Sequence, residues 1–94
     1  MAFKTGQVNV TTSGIPVQLP AIGIEGEEVL VVKAKKSNGG TITVGYSSAT
    51  ALNTGSDHFK LEANESVKIR VDEGTEVWID ATVSGEGIEW IVEV

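Results

Sequence analysis

Short runs of Val, Ile and Thr recur along the chain roughly every ten residues, bounded by Gly, Asn, Ser or Asp, and within most of them apolar and polar residues alternate. A period of two puts successive side chains on opposite faces of an extended strand, so this pattern predicts half-buried strands rather than helices. The first pair of runs is Gln7 to Thr11 and Ile15 to Leu19, joined through Ser13 and Gly14; Pro16 and Pro20 predict that the second is interrupted or lies at an edge. The run Val29 to Lys35 starts as continuous Val-Leu-Val-Val and ends in alternation, the pattern of a central strand that begins buried on both faces and emerges into water. Ser37-Asn38-Gly39-Gly40 then predicts a hairpin into Thr41 to Tyr46, with Ile42, Val44 and Tyr46 on one face.

Ser47 to Ser56 is rich in small polar residues and reads as a long loop, followed by a short strand at Phe59-Lys60-Leu61. Glu62 to Glu65 turns the chain into Val67 to Val71, whose Val67, Ile69 and Val71 point inward. Two further hairpins are predicted, through Asp72-Glu73-Gly74-Thr75 into Val77 to Ala81 and through Ser84-Gly85-Glu86-Gly87 into Ile88 to Val94. The expected class is all-β: one domain over residues 1–94, a small antiparallel β-sandwich, jelly-roll-like, of about eight short strands.

The chain of 94 residues carries 7 Lys+Arg against 13 Asp+Glu, a formal charge of -6. That balance repels phosphate backbones and argues against nucleic acid as a partner. Without cysteine there is neither a disulfide framework nor a thiolate metal site. No apolar stretch reaches the length of a signal peptide or a membrane span, so a soluble chain with no membrane partner is expected.

Candidate chemistry is sparse. His58 is the single imidazole and stands beside Asp57 without an organised nucleophile, so local capping of a strand start explains it better than a catalytic relay. The acidic turns Glu25-Gly26-Glu27-Glu28 and Asp72 to Glu76 could in principle attract calcium, but their spacing fits no ion-wrapping loop and solvated turn carboxylates account for them. The glycines do not lead a strand into a helix, which argues against a phosphate cradle. No enzyme and no cofactor are expected.

The tryptophans are more informative. Alternation puts Trp90 inward with Ile88 and Val92, as a core anchor, and turns Trp78 outward with Asp80, where Lys68 and Arg70 of the preceding strand share its face. Such a Trp stacks on a sugar, packs under another chain, or lies beneath a cation of its own sheet. Ile91, outward on the same nominal side, favours a protein interface, so the candidate contact set is Trp78, Ile91, Lys68, Arg70 and Asp80. A carbohydrate-binding module using Trp78 is the alternative.

From Val29 to Val94 the order of elements resembles small β-sandwich virion proteins of tailed bacteriophages, the head decoration, head-fibre and tail-associated components. The matching features are the Val29 to Lys35 strand, the Asn38-Gly39-Gly40 turn, the strand ending at Tyr46, the polar loop before Phe59-Lys60-Leu61, and the strands at Val67, Trp78 and Ile88; Val8 to Ser13 resembles their N-terminal strand. Tyr46-Ser47-Ser48 stands where many have a Gly-Gly-Ser-like stretch, and Trp78 where a smaller aromatic is usual. The resemblance implies a structural role on a phage capsid or tail, as a symmetric homo-oligomer with a trimer ahead of other symmetries, located in the virion and, during assembly, in the host cytoplasm.

Overall fold

The computed structural model of the chain describes residues 3–21, 28–47, 51, 59–71 and 77–93. Its strands are β1 (Phe3–Asn9), β2 (Val17–Gln18), β3 (Glu28–Ala34), β4 (Ile42–Gly45), β5 (Phe59–Leu61), β6 (Ser66–Val71), β7 (Trp78–Ala81) and β8 (Gly87–Glu93). They form two antiparallel four-stranded sheets, one in the order β1-β8-β3-β6 and the other in the order β2-β7-β4-β5. The first strand thus pairs with the last, the second with the seventh, the third with the sixth and the fourth with the fifth. That is a long hairpin rolled over on itself, the jelly-roll arrangement of a β-sandwich.

Alternation survives this rolling and builds the core. Leu30, Val32, Ala34, Ile88 and Val92 from the first sheet meet Ile42, Val44, Leu61, Ile79 and Ala81 from the second, all of them buried. Val10 and Leu19, from the segments beside β1 and β2, are buried in the same core. Each Val, Leu or Ile side chain among them contributes about 1.5–3 kcal/mol by leaving water. As the prolines indicate, β2 is a two-residue edge strand, and β3 is central, flanked by β8 and β6.

The expected hairpins are not hairpins. Gln7 to Thr11 and Ile15 to Leu19 do not pair: β1 joins β8 in the first sheet and β2 joins β7 in the second. The turns at residues 35–41, 62–65 and 82–86, and the segment between β6 and β7, likewise carry the chain from one sheet to the other. Among the described strands, β4 and β5 are the one sequential pair sharing a ladder. Turn residues specify where the backbone changes direction; which ladder the next strand joins is decided by distant partners.

Two of the described crossings are braced by side chains. The Glu86 carboxylate accepts from the backbone N–H of Gly39 and, at 2.9 Å, from that of Gly40. Buried Asn38 behaves as an extra strand residue, its Nδ2 donating to Gly87 O at 2.9 Å while its Oδ1 accepts from Gly87 N at 3.4 Å. At the β5–β6 crossing Asn64 takes a left-handed φ of 71°, which Asn tolerates better than most residues, and the Glu65 carboxylate accepts from Glu62 N at 2.6 Å.

Candidate functional site

The two outer faces of the sandwich differ. On the β2-β7-β4-β5 sheet, Thr43 and Asp80 lie opposite one another and point away from the core, yet both are fully buried. Ala51 lies over Thr43, itself buried, with its N–H donating to Ser47 O at 3.0 Å and its carbonyl oxygen accepting from the Thr43 hydroxyl. On the same face Asp80 Oδ1 accepts from Gly14 N at 3.1 Å and Ala81 N at 2.8 Å, while Ser13 Oγ donates to Ala81 O at 2.7 Å. Around Thr43 and Asp80 this face is sealed by the chain's own connections, while Gln18 and Lys60 at its flanks are exposed.

The outer face of the β1-β8-β3-β6 sheet presents a different surface. Val31 stands directly beside Ile91 of β8, and Val29 follows two residues along the same face. Ile91 and Val29 are each 40% exposed, and Phe3, diagonal to Ile91 across β1, is 66% exposed. Lys68 lies opposite Val31, Arg70 opposite Val29, and Lys33 opposite Glu89. A shallow depression of about 410 Å³ runs across this face between Thr5, Gln7, Val31, Lys33, Glu89 and Ile91. Among the described outward side chains of this face Glu89 is the single carboxylate, against three of the chain's seven cations.

These placements correct the predicted contact set. Trp78 sits on the other sheet, beside Gln18 and Gly45, so it shares a face neither with Lys68 and Arg70 nor with Ile91. It is half-buried and does not belong to the exposed large hydrophobic residues. Asp80 is 0% exposed and acts as an internal hydrogen-bond acceptor rather than a contact residue. Tyr46, expected on one face with Ile42 and Val44, follows the end of β4 and is 79% exposed while those two are buried. Ile91, Lys68 and Arg70 remain together, and Val29, Val31 and Phe3 join them. The unbroken apolar run at Val29 and Val31 reads as double burial, whereas on the outward side Val29 is exposed and Val31 half-buried.

Trp90 packs inward against the core as expected, although it stays half-buried near the β1 edge. Its indole ring lies over Gly6 so closely that a methyl group there would come within 2.6 Å of Cζ2. The indole N–H is buried and has no hydrogen-bond partner among the described residues. Trp90→Phe keeps a ring over Gly6 and removes that unsatisfied donor, so it is expected to cost under about 1 kcal/mol, whereas Trp90→Ala is expected to cost about 3 kcal/mol. Chemical denaturation of the two variants checks the difference.

An apolar groove of about 410 Å³ opens between the sheets at the β5 and β6 edges, lined by Val44, Phe59, Val67, Ile69, Val71 and Val77. Phe59, Val71 and Val77 each adjoin in sequence a segment outside the described residues. His58 with Asp57, and the acidic turns Glu25 to Glu27 and Asp72 to Glu76, also lie outside them. Among the described residues no three His, Cys, Asp or Glu side chains converge on a possible metal position, and no helix is long and apolar enough to cross a membrane. Comparison of the chain with protein-family models, with curated proteins and with solved structures finds no match.

Proposed function

We propose that this protein is a non-enzymatic structural component of a tailed-phage virion that docks onto a capsid or tail protein through the outer face of the β1-β8-β3-β6 sheet. The observation that carries the docking reading is β3: Val29 and Val31 extend its apolar run onto a face that nothing in the described chain covers. The connections seal the opposite face instead, around Thr43 and Asp80. A solvent-facing strand ordinarily alternates, and an apolar centre rimmed by charge is how protein interfaces are built. The charge adds a partner chemistry. In a chain of formal charge -6, Lys33, Lys68 and Arg70 gather around Val29, Val31 and Ile91, which complements an apolar partner surface ringed by carboxylates.

The virion assignment is supported by the resemblance in the order of elements, and the jelly-roll pairing is compatible with it. The test is co-sedimentation of the purified protein with heads and tails of the phage that encodes it. The wild-type chain is expected to pellet with one of these particles, more weakly as salt is raised, and Ile91→Asp is expected to reduce binding at least tenfold by placing a carboxylate in the apolar centre. Wild-type protein left entirely in the supernatant, or Ile91→Asp pelleting as the wild type does, would count decisively against the reading.

A further inference from the structure

The four strands at the sheet edges are not equally protected against pairing with another chain. β2 has two residues between Pro16 and Pro20, and β5 has three. β6 carries Lys68 and Arg70 along its outer side. Short length, proline and charge are the usual devices that keep an edge from extending into a neighbour. β1 lacks most of them: it runs for seven residues, contains no proline, and its one charged residue, Lys4, lies near one end. Phe3, Lys4, Thr5, Gln7 and Asn9 are all exposed.

Hydrogen bonding fixes which backbone groups face that open edge. Val10 N donates to Glu86 O at 2.8 Å and Val10 O accepts from Gly85 N at 2.7 Å, so Val10 turns both polar groups toward the β8 side. In an antiparallel ladder this role alternates, which assigns Val8, Gly6 and Lys4 to β8 and directs the N–H and C=O of Thr5 and Gln7 away from it. On the other side of β8, Gly87 O accepts from Lys35 N at 3.2 Å, in the same phase.

We infer that β1 pairs antiparallel with β1 of a second copy about a two-fold axis at Gly6, joining two four-stranded sheets into one of eight strands. Charge argues for a second copy as the occupant. Two chains of charge -6 repel, yet Phe3 to Asn9 contains no carboxylate, so this edge lets them approach without opposing acids. The Gly6-centred register sets Thr5 opposite Gln7 of the second copy, both with backbone groups directed across the gap, and Lys4 opposite Val8, so no like charges meet. The pairing also brings the two open outer faces into one continuous surface, which would dock at two points rather than one.

Light scattering on a size-exclusion column tests this. The wild-type chain is expected at twice its mass of 9.9 kDa. Thr5→Pro removes an N–H that faces the open edge and leaves the bonds to β8 intact, so it is expected to elute as a folded monomer. Thr5→Lys with Gln7→Lys places cations opposite cations across the axis and is expected to do the same, and because it lowers the magnitude of the net charge, dissociation cannot come from overall repulsion. Circular dichroism confirms that each variant is folded. A wild-type chain that is monomeric even at millimolar concentration overturns the inference, as does a trimer, or a dimer that both variants leave intact. Ile91→Asp, which disturbs docking, is expected to keep the dimer mass, so failure of one proposal is distinguishable from failure of the other.

Discussion

Replacing Gly87 with alanine is expected to destabilise the fold by about 3 kcal/mol or more, the upper range for forcing extra volume into a close-packed site. A Cβ at this position would stand 2.1 Å from the carbonyl oxygen of Val8 and 2.7 Å from Cα of Asn9. Both are backbone atoms, so no side chain can rotate aside, and relief requires prising β1 away from β8. The residue is also tied to the β3–β4 crossing through Lys35 N and the Asn38 side chain. A shift of Gly87 therefore loosens three segments together. Gly39→Ala is the control, since a Cβ there meets nothing closer than a Glu86 carboxylate oxygen at 3.6 Å. Guanidinium denaturation is expected to show a large drop in midpoint for Gly87→Ala and little change for Gly39→Ala; equal midpoints would mean that β1 and β8 are not packed as described.

Asp80→Ala is expected to cost about 3 kcal/mol of stability while leaving particle binding by the folded fraction unchanged. The carboxylate is fully buried on the sealed outer face and accepts from Gly14 N and Ala81 N. Truncation takes an acceptor from the buried Ala81 N–H and from the part-buried Gly14 N–H, and removing one partner of a buried hydrogen bond costs more than the net worth of an ordinary one. Thermal melting together with the co-sedimentation assay separates the two roles. A normal melting temperature with lost binding would return Asp80 to the contact surface that strand alternation alone assigns to it.

The fate of Asp80 shows where the sequence is legible and where it stops. Alternation identifies the inward residues of β4, β6, β7 and β8, because a period of two is a local property and one face of each strand must leave water. Ile42, Ile79 and Ile88 are buried accordingly. Alternation says only that Asp80 and Thr43 point away from the core; that Ala51 covers Thr43, and that Ser13 and Gly14 reach Asp80 and Ala81 from far along the chain, is set by contacts outside the strands themselves. The same limit explains the misread turns. Asn38, Gly39 and Gly40 announce a change of direction, but it takes the Glu86 and Asn38 bonds to the opposite connection to make it a crossing between sheets.

The candidate contact face was half legible for a related reason. Ile91, Lys68 and Arg70 emerge as outward residues from their own strands, but grouping them with Trp78 assumed that β6 and β7 pair, whereas they belong to different sheets. The informative feature was the unbroken run at β3. Continuous apolar character means cover on both sides, and in this chain the core supplies one cover while the other side remains open. That mismatch between sequence and exposure distinguishes this face from the sealed one.

Hydroxyl-radical footprinting of the protein, free and bound to the particle, tests the docking face most directly. Val29, Val31 and Ile91 are expected to lose reactivity on binding, while Ile15 and Val83, exposed elsewhere on the molecule, keep theirs. Protection at Ile15 and Val83 with Val29, Val31 and Ile91 still fully reactive would contradict the account.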